Sequence, residues 1–230
     1  MRVEGTVITG KIDSDAWMDM GSDRHIIKRE IQTLQRAMST RKHFDAVMAS
    51  KESLTNKAEI VYLHTLPACF VEKHAVHAEI IRRISKFAQC PSISVKFCGS
   101  GQLGFSPHKG SEFKYGTSDL DVAIISKDLY LFFLEEIRIL TNNYVDLTKF
   151  TAVGGREAAE RFKDYAMEKG LIHVNSLPIC DIRQKWLAFL NRITIDYSEL
   201  FKSISISIYS TDKSFIRKQI SAIHPYATGI

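Results

Sequence analysis

Two aspartates one residue apart, Asp119 and Asp121, stand at the head of an apolar run, LDVAII. In a strand, residues i and i+2 project from the same face, about 7 Å apart at the backbone. Two like charges placed this way repel unless a cation sits between them. Oxygen-only ligands of this kind suit Mg²⁺ (or Mn²⁺), which keeps several waters and takes one or two carboxylates plus substrate phosphates. Strands disfavour Asp, so the pair breaks a local rule and asks for a functional reason. Upstream, the apolar VKFC runs straight into Gly99-Ser100-Gly101. Glycines let the backbone approach a ligand closely, and successive N–H groups in such a turn form an anion-binding concavity. A helix beginning there would add its dipole. Phosphate on the turn and metal on the carboxylates describe a site for a nucleoside triphosphate with Mg²⁺.

The run CGSGQLGF followed by SDLDVAI resembles the signature of the DNA polymerase β-type nucleotidyltransferase superfamily, over roughly residues 67–147. Within it, the short chain is similar to the minimal nucleotidyltransferases and to long-loop relatives from bacterial defence or toxin–antitoxin systems. The resemblance implies a small mixed sheet flanked by helices. It also implies that Gly99 and Ser100 hold the triphosphate and that Asp119 and Asp121 bind the metals. The implied reaction is attack of a hydroxyl on the α-phosphorus of an NTP, with pyrophosphate leaving. Acceptors open to such an enzyme are an RNA 3′ end, a protein hydroxyl, another nucleotide or a small molecule. Two other readings share the motif: a non-catalytic binding or regulatory subunit, such as an antitoxin or adaptor, and an oligonucleotide-signal synthase of the anti-phage type.

The chain departs from the family pattern in two places. Eighteen residues separate Ser100 from Asp119, several more than compact members carry. This insertion holds His108, Lys109 and Lys114; it either contacts phosphates or an acceptor, which makes Lys109 and Lys114 nucleotide-binding candidates, or is a surface loop with incidental basic residues. Active members also place a third carboxylate on a neighbouring strand. Asp146 in YVDLTK is the best candidate for this catalytic and metal-binding role, and Asp181 in PICDIRQ is the runner-up, with a helix N-cap as its commoner use. If neither reaches the site, a binding role gains ground.

Other residues offer less. His74 and His77 stand at i and i+3 on an expected helix with no third ligand nearby, the arrangement of a solvated face rather than a metal site. Cys98 falls in a buried strand position with no paired His and reads as core. Arg82, Arg83, Lys86, Arg217 and Lys218 are read as solvation of helix faces before a nucleic-acid footprint.

The elements that must position these groups follow from periodicity. Helices are expected at 22–38, with Ile27, Ile31, Leu34 and Met38 on one stripe, and at 70–88, 127–141, 155–168 and 182–193. Strands are expected at SISVKFC, LDVAII, NYVDL, LIHVNSLP and, as a half-buried strand, SISISIY. Residues 105–117 read as a polar loop. The fold class is therefore α+β, with an N-terminal helical extension (1–60), a core (61–150) and a C-terminal helical segment with a possible added strand (151–230). The N-terminal helices are expected to pack on the core, on a second copy or on a partner protein.

The bulk properties permit all this. At 230 residues the chain can bury a proper core. A net charge of +5, from 31 Lys and Arg against 26 Asp and Glu, is mild and fits nucleotide or RNA as readily as a plain soluble surface. The four cysteines form no CxxC pair and suit a reducing compartment. With no signal-peptide run and no membrane-length apolar stretch, the expected location is the cytoplasm.

Overall fold

The computed structural model describes residues 41–150 and 155–228; the expected 22–38 helix lies outside them. Four strands form one open mixed sheet: β1 (Val95–Cys98), β2 (Leu120–Ile125), β3 (Leu171–His173) and β4 (Ile204–Tyr209), in the order β1-β2-β4-β3. β1 is antiparallel to β2, β2 is parallel to β4, and β3 is antiparallel to β4. Eight α-helices are described: α1 (Arg41–Ala49), α2 (Leu54–Glu59), α3 (His74–Ala88), α4 (Gly99–Leu103), α5 (Lys127–Leu140), α6 (Gly155–Lys163), α7 (Asp181–Asp196) and α8 (Asp212–Thr228). No described helix is long and apolar enough to cross a membrane.

The two-residue period of the central strands decides the layering. Leu120, Val122 and Ile124 of β2 and Ile204, Ile206 and Ile208 of β4 point to one side, where Ile80 and Ile84 of α3, Phe133 and Ile137 of α5, and Trp186 and Leu190 of α7 close over them. Full burial of such a side chain contributes about 1.5–3 kcal/mol. On the other side Ala123 and Tyr209 meet Phe44 and Val47 of α1, Ala58 of α2, and Phe215 and Ile223 of α8.

Helices therefore cover both faces. This corrects the half-buried reading of SISISIY: Ser207 is buried, its hydroxyl 2.7 Å from His173 Nδ1, because α8 packs over the serine side. It also joins the last segment to the core, since β3 and β4 both come from beyond residue 150.

The expected strand NYVDL is absent. Asn142, Asn143 and Tyr144 all adopt positive φ, and the Asp146 N–H donates to the Thr141 carbonyl at 2.9 Å. The asparagine pair closes a turn at the end of α5, a conformation Asn tolerates well.

Candidate functional site

β1 ends at Cys98, whose register partner is Asp121, and the chain passes directly into α4 at Gly99. Gly99 has φ +63°, and a Cβ on it would collide with Asp121 Oδ2. Only glycine lets the turn and the carboxylate share this space. A Cβ on Gly101 would press on Leu120 Cδ1 at 3.2 Å and Cys69 Sγ at 3.4 Å, so the second glycine seats α4 against β2. The first backbone N–H groups of α4 have no intrahelical partners, and Gly99 and Ser100 line a cavity of about 440 Å³.

Asp119 and Asp121 line the same cavity. Each carboxylate is held from β4: the Ser203 hydroxyl donates to Asp119 Oδ1 and the Ser205 hydroxyl to Asp121 Oδ1, both at 2.8 Å. Burial pushes the Asp121 carboxyl above the usual range; the Ser205 hydrogen bond opposes this, and the charge of Asp119 adds to it. The parallel register explains the pairing, because Asp121 stands opposite Ser205.

The 105–117 insertion folds back as a flap. Phe105 bridges Glu112, the Phe113 N–H donates to the Gly104 carbonyl at 2.8 Å, and the Tyr226 hydroxyl of α8 donates to the Pro107 carbonyl at 2.9 Å. This pinning brings Ser106, His108, Lys109 and Glu112 to the cavity wall. Lys218, Gln219 and Ser221 of α8 form the facing side, with Tyr62.

Of the sequence candidates, Gly99, Ser100, Asp119, Asp121 and Lys109 are brought together. Lys114 is not: its backbone N–H donates to Ser118 Oγ at 2.9 Å in the turn that ends the flap, and its side chain is absent from the cavity lining. Asp146 is not either. It sits in the exposed loop after α5, where its Oδ1 accepts from the Thr148 N–H and hydroxyl at 2.9 and 2.6 Å, bonds that pull its carboxyl below the usual range. Turn formation at Asn142–Tyr144 leads the chain away from the sheet, so Asp146 never becomes a strand neighbour of Asp121. Asp181 opens α7 and lines a different cavity with Phe133, Ile137 and Leu177. The strand position beside Asp121 that either would have filled belongs to Ser205.

His77 packs between Phe70 and Phe97, with ring centroids 4.9 and 5.3 Å away, and burial lowers its pKa to about 4; it is half-buried against the core, which corrects the solvated-face reading for this residue. Burial raises the Cys98 thiol, which keeps it an inert neighbour of the turn. Sequence reasoning missed Tyr62, Ser203, Ser205, Lys218 and Gln219. The serines left a signal in their two-residue spacing, matched to that of the aspartates, and Lys218 only as part of a basic pair read as helix-face solvation.

Among the described residues no three His, Cys, Asp or Glu side chains gather closely enough to form a metal centre of protein ligands alone. The chemistry of the donor set nevertheless fits a single hard cation completed by phosphate oxygens and water, since that mode needs only one or two carboxylates. Charge supports the same fit. Asp119, Asp121 and Glu112 outnumber Lys109 and Lys218 around the cavity, so an anionic ligand is favoured there only together with a cation. The chain matches no protein-family model, no curated protein and no solved structure.

Proposed function

We propose that this cavity binds a nucleoside triphosphate with Mg²⁺ or Mn²⁺ and that the chain is a nucleotidyltransferase of the polymerase β type. The observation that carries the reading is the convergence of the Gly99–Ser100 turn with Asp119 and Asp121 on one cavity wall, although 18 residues separate them in the chain. Backbone N–H groups at Gly99 and Ser100 hold a phosphate, and Lys109 and Lys218 offset its charge. Asp119 and Asp121 hold the cation, with Ser203 and Ser205 fixing the carboxylate planes. A cation bound there would neutralise charge on the phosphate oxygens. The acceptor hydroxyl gives its proton to solvent as its oxygen bonds to the α-phosphorus, the bond from that phosphorus to the α–β bridging oxygen breaks, and pyrophosphate leaves.

Ser205 favours a second reading. It stands where a third carboxylate would complete a two-metal site, and Asp146 is remote. A site of this kind can retain an NTP with one cation and act as a binding or regulatory subunit.

One experiment separates the two. NTPs labelled at the α-phosphate are incubated with Mg²⁺ or Mn²⁺ and with total tRNA, the protein alone or no added acceptor, while binding is followed by calorimetry. Transfer that disappears in Asp121→Asn establishes the enzyme, and oligonucleotide product without added acceptor identifies a signal synthase. Metal-dependent binding without transfer selects the binding subunit. Absence of both binding and transfer sinks the proposal.

A further inference from the structure

Tyr62 is the one cavity-lining side chain, among the described residues, whose buried polar atom lacks a partner. Its relative exposure is 2%, and its hydroxyl makes no hydrogen bond. Buried polar groups are almost always paired, so an orphan on a cavity wall points to a ligand rather than to packing. The residue is held there by its backbone. It lies in a π-helical turn, Ile60–His64, a form frequent at functional sites. The Gln102 amide, from α4 itself, donates to the Val61 carbonyl at 2.8 Å and the Thr65 carbonyl at 3.1 Å, locking this turn to the Gly99 turn. The ring packs edge-on against Phe215 at 6.1 Å.

The surroundings define the ligand. Burial pushes the phenol pKa upward, so the group is present as an O–H donor, not an anion. Beside it on the cavity wall are Gly99, Ser100, Lys218 and Gln219. Lys218 is exposed and takes part in no ion pair among the described residues. A protonated phenol and an ammonium without an ion-pair partner, its nitrogen 6.0 Å from the Tyr165 ring centroid, offer donors and positive charge on the wall of this cavity, the complement of a phosphate oxygen.

We infer that the Tyr62 hydroxyl, with the Lys218 ammonium, is a phosphate-binding donor of this cavity that makes it select the polyphosphate chain of a nucleotide. The inference rests on the nucleotide reading above and deepens it. A polyphosphate offers these donors more acceptor oxygens and more negative charge than a single phosphate does. Triphosphate is then preferred to monophosphate, whatever the base.

The test is calorimetry with Mg²⁺ and three probes, ATP, AMP and inorganic tripolyphosphate, on wild type, Tyr62→Phe and Lys218→Met. Tyr62→Phe removes only the hydroxyl and keeps the ring against Phe215. It is expected to weaken ATP and tripolyphosphate about tenfold, the scale of a hydrogen bond to a charged group, and to leave AMP unchanged. Its ligand-free melting temperature should be equal to or above that of wild type, because an unpaired buried hydroxyl stabilises nothing. Lys218→Met, an exposed helix substitution, should weaken the same two probes. Unchanged tripolyphosphate affinity in Tyr62→Phe overturns the inference. So does an equal loss for AMP and ATP, which would assign the hydroxyl to the nucleoside, or a lowered melting temperature with intact affinity, which would make it structural. Wild type that binds no NTP in the calorimetry of the preceding experiment overturns the nucleotide reading itself, and this inference with it.

Discussion

β2 and β4 lie side by side in parallel register, and both alternate an apolar residue with a polar one at their leading ends. Asp119 immediately precedes β2 and Asp121 lies within it; Ser203 immediately precedes β4 and Ser205 lies within it. The apolar halves of both strands do the same work, filling one side of the sheet beneath α3, α5 and α7. The polar halves divide the labour. β2 supplies charge, which is costly to bury and useful only with a cation, while β4 supplies neutral hydroxyls that donate to that charge and hold it in place. Serine tolerates burial here because its partner is 2.8 Å away, whereas a carboxylate at position 205 would face Asp121 with like charge. The pair of strands therefore builds a site that is strong in orientation and sparing in ligand count.

The sharpest way to break this contrast is to remove the charge from β2. Asp121→Asn is expected to reduce metal-dependent NTP binding or transfer by two orders of magnitude or more, on the order of 3 kcal/mol. The same change should stabilise the cation-free protein at neutral pH. The folded-state pKa of Asp121 lies above its ordinary value, so its favourable contribution is full below the ordinary carboxylate range and is lost as pH rises through the folded value. Urea midpoints of wild type and Asp121→Asn, measured with chelator from pH 4 to 8, should diverge as pH rises. Midpoints that stay parallel would deny that Asp121 is strained by burial.

Next in size, Gly99→Ala should cost about 1–2 kcal/mol from the left-handed backbone alone and should also displace the Asp121 carboxylate. Loss of nucleotide binding greater than the stability loss explains is the expected result. Full binding with a normal melting temperature would mean that the turn and the carboxylate are not in contact.

The β4 side of the comparison predicts a smaller effect. Ser205→Ala removes the hydrogen bond that opposes the upward shift of Asp121, so the pH at which cation binding is half-maximal should move up, with a loss of about 1 kcal/mol in cation affinity at neutral pH. A pH profile that superimposes on wild type would show that the serines do not orient the carboxylates.

The smallest effect belongs to Asp146→Ala. Its carboxylate serves Thr148 in an exposed loop, so NTP affinity should change less than about twofold. A large loss would return Asp146 to the site.

Much of the fold could be read along the chain where local physics is one-sided. LDVAII and SISISIY carry a two-residue period, and the apolar stripe of 70–88 has a helical one; each element forms close to its expected place, with the last of these appearing as α3 after a short 3-10 turn. The Gly-Ser turn and the aspartate pair were legible because their residue types are expensive anywhere but at a site. NYVDL failed because its apolar letters outweighed the paired asparagines, and the asparagines decided the backbone. Tyr62 gave no signal at all, and Lys218 gave only that of a basic helix face: a lysine on a helix and a tyrosine in an apolar stretch have ordinary uses.

The sequence by itself determined the charge pair, the glycine turn and the periods that make one side of each central strand apolar. These depend only on residue type and on neighbours a few positions away. The tertiary structure alone decided that β4 lies beside β2, that its register sets Ser205 against Asp121, that the flap and α8 close the cavity, and that Asp146 lies outside it. Strand order and register arise from which apolar faces find each other across some eighty residues of chain, and no local pattern encodes that choice.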